Sequence, residues 1–289
     1  MHEESIDSLA LIGEFTVGRI TVTHVSDGVM VGARRTWFTG IDPDTWMPVL
    51  GITDPDTPFP VNFGGFLVHG ADGLTLVDCG FGEAGAGLIE GLRAGGEMVQ
   101  RLAEIDVRPE DVARVVVTHL HIDHCGHLVN SAGEPTFPNA EVWLHEAEVE
   151  YWESDDAEKN IFPETIRGFL KVIREAGLLR TYDAEREIAE GLTIVPAKGH
   201  TPGHTVVIVQ SDGEYAFLLG DVVHHTVHFE HLDWLQNMDV EPPVSIGTRS
   251  TLFDRAVELN AIVTAVHMPI LTLGRLTSPE PGAYRYTRI

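Results

Sequence analysis

Two stretches far apart in the chain share one layout. "FLVHGADGLTLVD" (66–78) and "TVVIVQSDGEYAFLLGD" (205–221) each read as apolar strand, Asp-Gly turn, apolar strand, aspartate. An apolar run broken by Asp-Gly reads as a hairpin, and a strand this apolar needs cover on both faces. Helical periodicity separates and follows the two copies, over 84–104, 146–153, 163–176 and 249–259, with further strands at 115–117, 140–145 and 261–267. Two ββ-rich halves with intervening helices predict an α/β fold, a four-layer αββα sandwich. Asp78 and Asp221 close the two copies.

No linker or low-complexity tract divides the 289 residues, so 1–289 is expected to form a single domain. Residues 1–60 would be an N-terminal strand-and-loop extension. In it "FTVGRITVTHVSDG" (15–28) alternates and ends in a turn signal, which predicts a strand and hairpin. "TWFTGIDPDTWMPVLGITDPDTPFP" (36–60), rich in Pro, Asp and Gly, reads as a long ordered loop over a hydrophobic surface.

Hydrophobic residues make up 43% of the chain and the formal charge is −25. A chain this acidic repels phosphate backbones and anionic lipid, which argues against nucleic-acid and membrane partners. No apolar run reaches the roughly 18 residues that a membrane span requires. The acidic start lacks the basic n-region of a secretory signal, so a cytoplasmic location is expected. The two cysteines, Cys79 and Cys125, are too few for a disulfide framework and read as reduced, buried thiols.

The chemistry concentrates in "THLHIDHCGH" (118–127), where the apolar strand 115–117 ends. His119 and His121 are two apart and point the same way in an extended segment. Asp123 and His124 follow on the turn. Four imidazole or carboxylate groups in six residues exceed what one catalytic zinc takes, which is usually three protein ligands and water, so the cluster points to two adjacent metals. Further ligand types stand just after other strands: His200 in "KGHTPGH", Asp221 in "LLGD" and His267 in "TAVHMP". Sites in layered α/β folds form where such strand ends converge.

The ordered motifs VDCG, HLHIDH, GHTPGH, GD and a late His resemble the metallo-β-lactamase superfamily over roughly residues 60–270. That resemblance implies that His119, His121 and His200 hold a first metal and that Asp123, His124 and His267 hold a second. It makes Asp221 the bridge and Asp78 a residue that orients ligands. His127 and His204 have no ligand place in the pattern and read as supporting or structural. The nitrogen-rich set favours two Zn2+ per chain, with Mn, Co or Fe able to load; iron members carry Glu where this chain has His121. Asp221 stands where true β-lactamases with two zincs often have Cys, which disfavours that activity.

Two cations flanking one water lower its pKa towards about 7 and yield a bridging hydroxide, so the implied reaction is hydrolysis, with Asp123 as general acid. The N-terminal extension and the "N-x-x-x-FLV" stretch (62–68) resemble the acyl-homoserine lactonase and methyl parathion hydrolase-like branch. Many of those lactonases carry Tyr three residues after the bridging Asp, where this chain has His224. His224 is therefore the second candidate catalytic residue, as a donor to the substrate carbonyl, and it also resembles the phosphotriesterase-type branch. His225, His228 and His231 read as loop residues. Trp37, Phe38, Trp46, Phe59, Phe229, Trp234 and Met238 could line an apolar pocket, or could be core or the surface of a homodimer.

The reading that follows is a quorum-quenching lactonase, a zinc hydrolase that opens a small hydrophobic lactone such as an acyl-homoserine lactone. The alternatives are a phosphotriesterase or aryl esterase, a glyoxalase II-like thioesterase, for which the segment after His267 is short, and a non-enzymatic metal-binding protein.

Overall fold

The computed structural model describes residues 10–33, 38, 40–82, 92–93, 95–235 and 238–289. Strand β1 (Ile12–Val17) turns through Gly18 and Arg19 into the long β2 (Ile20–Ala33), and the two pair antiparallel. Gly18, at φ +56°, supplies the left-handed step. The turn signal at Asp27 and Gly28 does not end the strand. It makes a bulge inside β2, opposite Phe63 and Gly64 of β3 (Pro58–Gly70). The cause is tertiary: Asp27 is fully buried and accepts the N–H groups of Phe81, Gly96 and Met98 at 2.8, 3.1 and 2.7 Å. A bulge re-aims one side chain without reversing the chain.

β3 runs through an Asp-Gly turn into β4 (Gly73–Val77), as expected. Of the helix expected over 84–104, residues 84–91 and 94 lie outside the described residues. Within the rest, Leu92–Arg93 is a short strand, β5, paired with β2, and the helix is confined to α2 (Met98–Glu104). Next come β6 (Val112–Val116), a helical turn α3 (Ile122–Cys125), β7 (Glu141–His145), α4 (Glu146–Glu153), α5 (Pro163–Glu175) and β8 (Leu179–Tyr182). The second half holds β9 (Arg186–Ala189), β10 (Leu192–Pro196), β11 (Thr205–Ser211), β12 (Glu214–Leu218), α6 (Pro242–Glu258), β13 (Ile262–Thr264), β14 (Gly274–Glu280) and β15 (Ala283–Arg288). α6 starts earlier than expected because Pro242 and Pro243 occupy its first turn, where a missing N–H costs nothing.

Two sheets result, ordered β1-β2-β3-β4-β6-β7-β8 and β15-β14-β13-β12-β11-β10-β9. They stack face to face. Phe66, Val68, Val77 and Val116 of the first sheet pack against Ile194, Val207, Val209 and Leu218 of the second. The strand period of two sends the alternate residues outward. Leu67, Leu76 and Val115 meet Leu102 of α2, Trp152 of α4 and a face of α5 made by Ile166, Phe169, Leu170 and Ile173. Ile208, Phe217 and Val263 meet Leu252, Phe253 and Ala256 of α6. This is the expected αββα layering. Among the described residues no helix is long and apolar enough to cross a membrane.

The stretch expected as a loop contains helix α1 (Pro43–Leu50), capped by Asp42, whose side chain accepts the N–H of Asp44 at 3.0 Å, and ended by Gly51 in the left-handed conformation. Its Trp46 packs with Phe38, Val227 and Trp234 into a small core of its own. Phe59 and Phe229 are buried in the larger cores on the outer faces, while Met238 is exposed. These aromatic side chains are therefore mostly core. Trp37 lies outside the described residues.

Candidate metal centre

Parallel strand pairing brings the ligand-type residues together. β4 pairs parallel with β6, so Asp78 and Thr118, just past the two strand ends, are neighbours. β12 pairs parallel with β13, which does the same for Asp221 and His267. His200 follows β10 in the second sheet. The two sheets meet at this end: the Thr205 N–H donates to the Thr118 carbonyl at 2.9 Å.

The seven expected residues converge. His119, His121, His200 and Asp221 form one group, and Asp123, His124 and His267 another, each with its ligand atoms within 4.8 Å of one another. The carboxylate of Asp221 faces both. Its Oδ2 lies 3.2 Å from His200 Nε2 and 3.7 Å from His119 Nε2. Its Oδ1 lies 3.1 Å from His267 Nε2 and 3.2 Å from His124 Nε2. Asp123 Oδ2 is 3.6 Å from both His124 Nε2 and His267 Nε2.

The outer ring nitrogens decide where the protons sit. His124 Nδ1 donates to Asp78 Oδ2 and His200 Nδ1 to Asp239 Oδ1, both at 2.9 Å. His267 Nδ1 donates to the Asn62 carbonyl at 2.9 Å. The Thr118 hydroxyl donates to Asp78 Oδ2 at 2.9 Å, which leaves its oxygen to accept from His119 Nδ1 at 3.1 Å. Carboxylates and carbonyls only accept, so in the neutral ring each of these four histidines presents a lone pair on Nε2 to the centre. Such partners fix both tautomer and ring orientation in metal sites.

The resulting arrangement fits a cation. His119 Nε2 and His200 Nε2 both face His121 Nδ1, at 2.9 and 3.0 Å. One proton on His121 Nδ1 can satisfy only one of them. Imidazole nitrogens with two carboxylates are a donor set suited to zinc.

Burial first, and the neighbouring histidines after it, hold His119 and His121 well below the ordinary histidine pKa. Burial also opposes charging His200, but Asp221 and Asp239 outweigh it and raise the pKa to about 9. For His124 burial is likewise outweighed, by Asp221, Asp123 and Asp78, and the pKa rises well above the ordinary value. Burial tends to raise Asp221, yet His124, His267, His224 and His119 together hold it well below the carboxylate range.

His224 lies in the centre as well. Its Nε2 is 2.9 Å from Asp221 Oδ2, and its ring stacks on His267 with centroids 5.2 Å apart. Burial lowers its pKa to about 4. His228, expected as an ordinary loop residue, is fully buried, and its Nδ1 accepts the His224 N–H at 3.1 Å. His204 accepts the Asp221 N–H at 3.0 Å, and burial pushes its pKa down to about 3, so it stays neutral and able to accept. His127 turns away from the centre to Asp27, at 2.8 Å. His225 caps the turn at Val227, and His231 stacks on Trp234.

Three of the supporting residues carry no signal of their own in the sequence. Thr118 and Asn62 stand inside motifs in which other residues carry the pattern. Asp239, a lone aspartate in "NMDVEPP", offers no local signal at all.

A family profile described as metallo-beta-lactamase superfamily matches residues 65–264, more than half of the chain. An N-acyl homoserine lactonase of Bacillus cereus is 25% identical over 230 residues, covering 75% of this chain and 82% of that protein. The solved structure of AidC, a dizinc quorum-quenching lactonase in complex with a product, aligns with a TM-score of 0.83 at 20% identity, over 98% of this chain and 99% of that one. The hydrolase AbOPH of the beta lactamase superfamily aligns with a TM-score of 0.81 at 24% identity, over 98% of both chains.

Proposed function

Because the chain belongs to the metallo-beta-lactamase superfamily, we propose that it is a dinuclear zinc hydrolase that opens the ring of a hydrophobic lactone, of the acyl-homoserine type or similar. One observation carries this reading: four histidines are held by their Nδ1 partners with Nε2 turned inward around a carboxylate whose two oxygens face different histidine pairs. In this reading His119, His121 and His200 would hold one zinc and Asp123, His124 and His267 the other, with Asp221 as a ligand shared by both. The lactone substrate is supported by the relatives named as lactonases. Residues 1–289 are read as one domain, because the described residues of the extension 1–60 contribute β1, β2 and α1 to the body of the fold.

When bound, a zinc pair supplies a hydroxide nucleophile at neutral pH and polarises the ester carbonyl. The rest falls to the chain. Asp123 is the most open of the seven candidate ligands: its side chain is 18% exposed, whereas the other six are at most 8% exposed. It is the one a departing ring oxygen can reach: it takes up the proton released as water adds to the ester carbon and passes it to the leaving oxygen as general acid. His224, neutral at pH 7, shares the proton on Nε2 with Asp221 Oδ2. A substrate carbonyl arriving beside Asp221 competes for that proton as negative charge develops on it.

Two measurements test the reading. Elemental analysis of protein purified without chelator is expected to give close to two metals per chain. On zinc-loaded protein, a panel of acyl-homoserine lactones, other lactones, aryl esters, phosphotriesters and thioesters is expected to show the highest kcat/KM on a lactone. One metal per chain with full activity overturns the paired-metal reading, and a thioester or phosphotriester as best substrate overturns the lactonase assignment.

For His224, the His224→Ala variant is expected to lower kcat by about 10² to 10³, the usual cost of one lost oxyanion donor, with metal content unchanged. His224→Tyr should recover part of that loss. If both variants match the parent, the donor role given to His224 is wrong.

A further inference from the structure

Glu148 is a fully buried carboxylate with no part in the chemistry above. It lies on α4, and each of its oxygens accepts two hydrogen bonds. Oε1 takes the Leu120 N–H and the Trp152 indole N–H, both at 2.8 Å. Oε2 takes the Thr201 hydroxyl at 2.6 Å and the Gly203 N–H at 3.1 Å.

The donors come from two places that matter. Leu120 stands between His119 and His121, after β6 of the first sheet. Thr201 and Gly203 follow His200, after β10 of the second. One carboxylate thus ties together the two segments that carry the first-metal histidines. Trp152 also sets its ring edge-on to His121, with centroids 6.0 Å apart. The contact is close: a Cβ on Gly203 would lie 2.2 Å from the Glu148 backbone nitrogen, so the His200 segment is seated directly on α4. A buried carboxylate persists when its acceptors are filled, and bonds to a charged acceptor are roughly twice as strong as neutral ones.

We propose that Glu148 is a positioning residue that sets the spacing of His121 and His200 across the two sheets, and with it the affinity of the first metal position. The inference rests on the two-zinc reading. Glutamine in its place can keep one oxygen on Leu120 and Trp152, but its NH2 group then meets the Gly203 N–H donor to donor. The His200 side should loosen, while Asp123, His124 and His267, which Glu148 does not touch, keep their places.

The test titrates zinc-loaded full-length protein with a chromogenic chelator and follows zinc release from the parent, Glu148→Gln, the milder Thr201→Val, and Ile173→Val as a core-packing control. Thermal unfolding of each variant is read alongside. The parent should release two equivalents. In Glu148→Gln one equivalent should leave at about 10- to 100-fold lower chelator, the scale for losing a residue that orients metal ligands, with the other unmoved. Thr201→Val should shift the same equivalent by less, and Ile173→Val should shift neither. Release profiles matching the parent in both site variants, or two equivalents leaving together, overturn the inference and leave Glu148 a residue of the fold alone. Should Glu148→Gln fail to fold, an unmoved profile in Thr201→Val has the same force. A parent that holds fewer than two zinc ions overturns the two-metal reading itself, and the inference with it.

Discussion

Replacing Asp221 with asparagine is expected to lower kcat by about 10³ or more, since on the proposed two-zinc reading the change would remove the one ligand shared by both metals. The carboxylate has five imidazole nitrogens within 3.7 Å, on His119, His124, His200, His224 and His267. Asparagine keeps the shape, cancels the charge, and turns an NH2 group towards one set of lone pairs. In protein stripped of metal the Asp221 carboxylate still pairs with the imidazoles that hold its pKa down, among them His124 and His200, whose own pKa values it raises, so at pH 7 the chelated variant should melt below the chelated parent. Zinc per chain, kcat and the melting temperature of chelated protein form the set of measurements. An Asp221→Asn variant that keeps two zincs and near-normal turnover would falsify the bridging role.

Asp123→Asn is expected to lower kcat on the best lactone by about 10² to 10⁴, the range for a lost general acid. Asp123 is also a candidate metal ligand, so the loss alone does not separate the two roles. The leaving group does. A lactone expels an alkoxide, which needs a proton; an aryl ester expels a phenolate, which leaves readily without one. If Asp123 delivers the proton, the aryl-ester loss should be smaller than the lactone loss by about tenfold or more, because general acid catalysis matters least for good leaving groups. Equal losses on both substrates, with one zinc missing, would reduce Asp123 to a ligand.

The candidate ligands were legible in the sequence because most sit beside a local signal. His119, Asp221 and His267 each stand three residues past the end of an apolar strand, and His121, Asp123 and His124 share one turn with His119. Alternation of apolar residues likewise announced the layers, since Phe66 and Leu67 must face opposite sides of a strand. Where local chemistry had two outcomes, the surroundings chose. Asp27 and Gly28 carried a turn signal, and three backbone N–H groups from 81–98 turned it into a bulge around a buried carboxylate. The Pro- and Asp-rich stretch after residue 36 became helix α1 because Trp46 had Phe38, Val227 and Trp234 to pack against.

The residues that aim the histidines left no such trace. Asp239 holds His200 across 39 residues, Asn62 holds His267 across 205, and Glu148 reaches Leu120 and Gly203 across 28 and 55. Neither period of local structure, 2.0 or 3.6 residues, spans such separations. Which nitrogen of His200 and of His267 keeps its proton is therefore set only in the folded chain, where segments distant in sequence bring each buried donor to its acceptor.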